Sequence, residues 1–316
     1  MTGKRKRVAM SLTDRSFARR IDVTTLQLFV AVCELGSIGR AAEREAIAPS
    51  AASKRLSDLE AVLETQLLYR HTRGVDLTPA GESLLHHARA VLASFQRMQG
   101  DLSEYAGGVR GHVRMHANIS AIVQFLPEDL GAFVAAHPQV KIDLEEHLSL
   151  EVLRAVREGM TDLGICNADV LASSHGLQMR PYRQDELVLV VPCDHALAGR
   201  KSLGFEEALA FDHVGLHSNS SIQLAMSRAA AALGGAVRLR IQVTGLDAMC
   251  RMILNRLGIG VMPRRAFELV QGVGPLIALA LSDPWAARRI SLVARDFAAL
   301  PPTARLLVDH LEERSP

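Results

Sequence analysis

The spacing of hydrophobic positions changes along the chain, and each change predicts a different kind of element. From Asp22 to Leu63 the spacing is helical. Leu26, Phe29, Val30 and Cys33 share one face of a first helix, capped by Asp22 or Thr24 and closed by Gly36. Ser37 then caps a second helix carrying Ala41 and Ala42, small enough to let another helix approach. A turn near Ala46–Ala48 leads to Pro49, at the first position of a third helix, where proline is tolerated. Ala52, Leu56, Leu59 and Leu63 recur at i, i+4, i+7 and i+11 and make that helix's buried face. Ser50, Lys54 and Ser57 point away from it, with Ser53 and Arg55 on the flanks. A helix whose outer face, including Ala51, is small, hydroxyl-bearing and basic suits entry into a DNA major groove.

The period then shortens to two. Tyr69–Thr72 and Val75–Thr78, around Arg73-Gly74, predict a hairpin wing with Arg70 and Arg73 placed to meet phosphates. Thr78-Pro79 opens a long helix with apolar residues at Leu84, Ala88, Val91, Phe95, Met98, Leu102 and Tyr105. Their steps alternate four and three, the seam of a coiled coil and so a dimer presenting two reading helices, the alternative being a helix packed on its own chain's core. Gly107-Gly108 ends this helix.

From residue 109 strands alternate with helices. The expected order is strand Val113–Ala117, helix Ser120–His137, strand Val140–His147, helix Ser149–Gly159 and strand Leu163–Asn167. A second set follows, with strands Glu186–Pro192, His213–Leu216, Val237–Val243 and Ile259–Met262, and helices Ser218–Leu233 and Leu246–Arg256. Strand Ile290–Ala294 and helix Thr303–Leu311 close the chain. This is an α/β layout with mostly parallel pairing and two lobes around a cleft. In such sheets ligands bind at strand carboxyl ends against helix N-termini. That rule picks Asn118, Ser120, Ser149, the His217–Ser221 cluster with Ser218, Asn219, Ser220 and Ser221, and Thr244. Hydroxyl-rich helix starts favour carboxylates and other anions, although the same residues also serve as plain caps.

Composition narrows the function. A 316-residue chain with 48% hydrophobic and 22% charged residues is globular and long enough for several domains. Aromatic residues at 4% are too few for single-strand stacking platforms. Residues 1–20 carry a net charge of +6, a basic tail read as disordered, or else as a source of phosphate contacts. Residues 21–80 carry −2, so Arg40, Lys54, Arg55, Arg70 and Arg73 must gather on one face to meet DNA. Cys33, Cys166, Cys193 and Cys250 have neither paired nor metal-ligand spacing, as expected of free thiols in a reducing compartment. No apolar segment follows the Lys4–Arg7 basic run and no run spans a bilayer, so a cytoplasmic location is expected. No nucleophile elbow, phosphate loop or metal-ligand set stands out, and His112 and His116 fit one face of a half-exposed strand. No enzyme activity, cofactor or metal is expected.

Residues 26–92 resemble the DNA-binding segment of the LysR-type transcriptional regulators through LQLFVAVCELGSIGRAA, SKRLSDLE and RGVDLTPAGESLL. Leu126-Pro127, FVAAHPQVKIDLEE, LRAVREGMTDLGI, LVLVVPCDHALA and NRLGIGVMP resemble that family's effector domain. The resemblance implies an α/β chain with an N-terminal all-α winged helix-turn-helix, a coiled-coil linker helix and a two-lobed effector domain of the periplasmic-binding-protein type II fold. The expected limits are a tail at 1–20, a DNA-binding domain at 21–80, a dimerising linker at 81–108 and an effector domain at 109–316. Lobe I takes about 109–182 and 286–316, and lobe II about 183–285. The resemblance implies Ser37, Ser50, Ala51, Ser53, Lys54, Arg55 and Arg73 as DNA-binding positions, and helix phase and charge add Arg40, Ser57 and Arg70. The implied partners are double-stranded promoter DNA, a small anionic or carboxylate effector, further copies of the chain as homodimer or homotetramer, and RNA polymerase. Two alternatives stand beside this reading: a thiol redox-responsive regulator of the same family, and a transporter's solute-binding protein. Departures from the family pattern are Pro49-Ser50 in place of Gln-Pro, Glu45 in a Leu slot, Glu64 for Gly, Leu68 for Phe and Ala196 for Pro.

Overall fold

The computed structural model describes residues 21–71, 74–107, 111–167, 176–270, 272 and 274–314, without the side chains at 96, 97 and 99–107. The expectations for the tail at 1–20, for Arg73, and for the Leu102 and Tyr105 side chains lie outside the described residues. Two compact units divide between Gln99 and Gly100.

The first unit begins with helix Val23–Leu35, whose N-terminus is capped by the Asp22 carboxylate accepting from the Thr25 amide at 2.8 Å. Gly36 ends it in the left-handed region at φ 61°. Helices Ile38–Arg44 and Pro49–Leu63 follow as the two arms of the helix-turn-helix. Ala52, Leu56 and Leu59 face the core with Phe29, Ala41 and Ala42, as the helical spacing requires. Strands β1 (Leu68–His71) and β2 (Gly74–Leu77) pair antiparallel as the wing. The wing docks on the first turn through two glycines. The Val75 amide donates to the Gly36 carbonyl at 3.1 Å, and a Cβ on Gly74 would lie 2.3 Å from that oxygen.

Helix Pro79–Gly107 begins at Thr78, whose hydroxyl accepts from the Gly81 amide at 3.0 Å. The expected apolar seam divides in two. Ala88 is buried in the unit's own core and Leu84 packs against it, together with Leu85 and Leu92. Val91, Phe95 and Met98 instead stand exposed.

The second unit is built on an eight-stranded mixed sheet. Strands β3 (His112–Ala117), β4 (Lys141–Glu146) and β5 (Leu163–Cys166) pair in parallel. The long β6 (Gln178–Pro192) then runs antiparallel to β10 (Gly260–Pro263), β11 (Leu276–Leu281) and β12 (Ala287–Ala294). The last of these is antiparallel to β5 as well. Strand β7 (Ser202–Leu203) adds to the edge at β11, and β8 (Asp212–Gly215) pairs in parallel with β9 (Arg238–Gln242). The expectation of mostly parallel pairing therefore needs correction. Strands β6 and β12 are the two passages between lobes, and each runs against the strands it meets.

Strand β6 is also longer than its apolar run suggests. Its second half, Leu187–Val191, is buried on both sides in the core of one lobe, with Val214, Met249 and Val261. Its first half pairs with β12, with a register shift between Ile290 and Ser291 where Pro181 sits in the ladder. Such an irregularity accommodates a proline that cannot donate to a neighbour. Tyr182, at that irregularity, is buried in the other lobe's core with Met115, Phe133 and Leu307.

Two helix limits also differ from expectation. The single helix over 120–137 is two, Ile119–Gln124 and Leu126–Ala136, broken at Phe125. Pro127 in the first turn of the second has no amide to continue the ladder. The helix expected from Ser218 starts at Ser221, because Ser220 is the residue whose side chain accepts from the first turn.

Candidate nucleic-acid interface and effector cleft

The helix Pro49–Leu63 turns an outer face of Ser50, Ala51, Lys54, Arg55 and Ser57 to solvent. No ion pair involves Lys54 among the described residues. The flanking residues are held from both sides. Arg70 of β1 donates to Ser53 Oγ at 3.2 Å, Ser57 Oγ at 3.1 Å and Glu60 Oε2 at 3.2 Å. Glu60 also accepts from the Leu67 and Leu68 amides at 2.8 and 3.1 Å, which fastens the wing to the reading helix. On the other flank Arg55 reaches Asp22 and Thr25, both at 3.4 Å. Ser37 caps its helix at a long 3.4 Å, and Arg40 turns its guanidinium to the Leu35 carbonyl. Of the described basic groups, Lys54, Arg55 and Arg70 lie on or against this helix, with Arg55 and Arg70 bonded on opposite flanks, while Arg40 bonds the Leu35 carbonyl. Arg70 and Arg55 order that surface, and Lys54 is left to reach outward.

In the second unit a cavity of about 200 Å³ lies between the lobes. One wall comes from Asn118, Ile119, Ser120 and the stretch 146–149 with Glu151; the other comes from Leu216, His217, Ser220, Ser221, Ile222 and Thr244. Helices Ser149–Glu158 and Ser221–Ala232 both start at this cavity. Of the residues expected from the sequence, Asn118, Ser120, Ser149, Ser220, Ser221 and Thr244 are brought together here. Ser218 and Asn219 are not. They form the exposed apex of the turn before Ser220 and do not line the cavity.

Several lining polar groups are already committed to the protein. Asn118 donates to Ser149 Oγ at 3.0 Å and Asn167 Oδ1 at 2.8 Å, while its own oxygen accepts from the Ala121 amide at 3.1 Å. Ser120 and Ser221 accept from the Arg288 guanidinium at 3.2 and 3.3 Å. Arg288 on β12 in turn pairs with Asp185 on β6, with Nε to Oδ1 at 2.9 Å and Nη2 to Oδ2. Gln124 Nε2 adds a third donor to Asp185 at 3.0 Å. The buried ion pair thus sits where the two passages cross and bonds one hydroxyl from each lobe. Sequence reasoning missed it, because Asp185 and Arg288 are two ordinary charges far apart in the chain.

The charged side chains lining the cavity are Glu146 and Glu151, with the imidazoles of His147 and His217 beside them. An anion there would be received by helix-start amides and hydroxyls rather than by a lysine or arginine in the wall. Three of the four thiols are suppressed as nucleophiles. Burial pushes Cys33 and Cys166 up to about 12, and burial with the Asp247 charge pushes Cys250 up to about 11. Cys193 is exposed.

Residues 23–82 match the model of the bacterial regulatory helix-turn-helix protein, lysR family, and residues 106–316 that of the LysR substrate binding domain. The uncharacterized HTH-type transcriptional regulator YbhD of Escherichia coli (strain K12) is 26% identical over 283 residues, 90% of this chain and 88% of that protein. The RuBisCO operon transcriptional regulator of Allochromatium vinosum is 25% identical over 284 residues, 90% of this chain and 93% of that one. The crystal structure of CbnR, a LysR family transcriptional regulator, shares the fold with a TM-score of 0.68 at 20% identity, covering 93% of this chain and 99% of that one. The chain belongs to the LysR family and is a DNA-binding transcriptional regulator. No helix among the described residues is long and apolar enough to cross a membrane.

Proposed function

We propose that this LysR-family regulator binds promoter DNA as a homo-oligomer in the cytoplasm and responds to a small carboxylate held between its lobes. The observation that carries the effector reading is the cavity itself, lined from both lobes by hydroxyls at two helix starts, with Arg288 behind Ser120 and Ser221. A ligand touching both walls favours one separation of the lobes over another, and that difference in affinity is what shifts an assembly between two states. Glu146 and Glu151 disfavour a second negative charge at the rim, so a monocarboxylate fits better than a dicarboxylate.

On the DNA side, Ser50, Ala51, Lys54 and Ser57 face the major groove, and Arg70 and Arg73 meet the backbone beside it. CbnR, whose fold this chain shares, has been crystallised in full length with its target DNA, which supports the reading. The seam is Val91, Phe95 and Met98, continued by Leu102 and Tyr105. Domain limits near residues 80 and 108 follow from this division of labour.

Two measurements test the reading. The full-length chain is melted against a panel of small mono- and dicarboxylates, with Trp285 fluorescence as the signal. A ligand at ~100 times its Kd raises stability by ~2.7 kcal/mol, and monocarboxylates should dominate the hits. A flat panel would remove the effector proposal. Gel shifts on an operator selected from random DNA should show weaker binding and a shallower salt slope for Lys54→Ala, by roughly one phosphate's share if the ammonium meets the backbone. Unchanged affinity and slope would exclude Lys54 from the interface.

A further inference from the structure

We propose that His116, Glu145 and His147 form a binding site for a divalent transition-metal ion of the zinc class on lobe I, at the rim of the cleft. The residues come together by register. Strands β3 and β4 run parallel with His116 opposite Glu145, so 112, 114 and 116 share a face with 141, 143 and 145. Val113, Met115 and Ala117 occupy the other face, in the core. His147 follows directly on β4 and stacks its ring on His116, with centroids 4.3 Å apart and planes at 29°.

The donor atoms converge. His147 Nε2 lies 3.0 Å from Glu145 Oε2, and His116 Nε2 lies 3.6 Å from the same oxygen. One ligand atom from each residue lies within 4.8 Å of the others. A tetrahedral ion with bonds of ~2.0–2.1 Å holds its ligand atoms ~3.3–3.4 Å apart. The two distances to the Glu145 oxygen bracket that value, and the third, between the imidazole nitrogens, is within 4.8 Å, so side-chain rotation must draw the donors onto an ion.

The surroundings fit a ligand role. Metal-bound histidine is usually oriented through its second nitrogen. His147 Nδ1 faces Glu151 Oε2 at 3.7 Å, which directs Nε2 to the cluster. His116 Nδ1 is buried without a hydrogen-bond partner among the described residues, so that ring's polar engagement is through Nε2. Arg114, next on this face, is turned to Asp162 at 3.3 Å. Two imidazoles and one carboxylate suit Zn²⁺, Co²⁺, Ni²⁺ or Cu²⁺ rather than Mg²⁺ or Ca²⁺, which prefer oxygen. Three protein ligands leave a coordination position open. The sequence reading expected no metal because it paired His116 with His112; the partners lie on the next strand and just beyond its end.

The site stands independently of the effector reading and is tested with the ion alone. Full-length protein stripped with chelator is titrated with Co²⁺, followed by visible absorption, and then with Zn²⁺ in competition. One ion per chain is expected, with d–d bands of four-coordinate Co²⁺ that Zn²⁺ abolishes. His147→Gln and Glu145→Gln alter half-exposed or exposed side chains, and their metal-free melting should match the parent. Each should weaken Zn²⁺ binding by at least ~100-fold, since even outer partners of a metal ligand are worth 10–100-fold. Absence of binding at millimolar metal, or parental affinity in either variant, overturns the assignment.

Discussion

Removing Arg288 tests the reasoning about the crossing of the lobes most directly. Its side chain is 4% exposed and that of its partner Asp185 is 1% exposed, so neither charge has access to bulk water. Arg288→Ala leaves the carboxylate with Gln124 as its remaining side-chain donor and takes a donor from both Ser120 and Ser221. Breaking a buried pair on one side costs ~3–5 kcal/mol, because an uncompensated charge remains. At ~2–4 °C per kcal/mol for a domain of this size, the melting temperature should fall by roughly 6–20 °C. Replacing both members, Asp185→Leu with Arg288→Met, removes the stranded charge and should restore most of the loss. The chain has one tryptophan, Trp285, just before β12, so its fluorescence reports this unit's unfolding separately from the DNA-binding unit. An Arg288→Ala loss below ~1 kcal/mol, or a double variant whose loss is the sum of the singles, would refute the argument. The double variant should also respond less to a cleft ligand in gel shifts, since Ser120 and Ser221 no longer share one donor.

Three further outcomes are expected. Met98→Lys places a charge in an apolar row with Val91 and Phe95, where the three are 50, 39 and 45% exposed; it should yield monomers in sedimentation, and a variant that sediments as the parent would count against the seam. Glu64 ends the reading helix at φ 50°, a conformation that costs an L-residue ~1–2 kcal/mol, so Glu64→Gly should stabilise the first unit by up to ~1 kcal/mol after glycine's greater unfolded-state entropy; a lower melting temperature would contradict this. His213 is buried, and burial lowers its pKa to about 4, from 6.5, so the folded state keeps it neutral. Its contribution to stability is intact above pH 6.5 and is lost as pH falls toward 4, ~1.4 kcal/mol per unit, and His213→Leu should flatten that part of the melting-temperature profile.

Periodicity was enough for much of the architecture. The phase of Ala52, Leu56 and Leu59 placed Lys54 outward because a helix has one repeat and a core has one side. Caps at Asp22 and Thr78 were legible for the same reason, being local chemistry between residues a turn apart. The helix starts at Ser149 and Ser220 pointed to the cavity by the rule linking strand ends to ligands. Periodicity failed on β6, where Pro181, Arg183 and Asp185 break the apolar run in the half of the strand that crosses between lobes.

What the linear order determined, then, is everything that depends on neighbours a few residues apart: helix faces, caps, the wing, and the alternation of strands and helices. The tertiary structure decided which distant groups meet. It joined Asp185 to Arg288, put Leu84 and Ala88 into the chain's own core while leaving Phe95 and Met98 exposed, and set Glu145 and His147 beside His116. The physical reason is that local periodicity is set by the backbone's repeat, whereas burial of a charge or convergence of ligand atoms requires strand register and lobe packing, which no single segment contains.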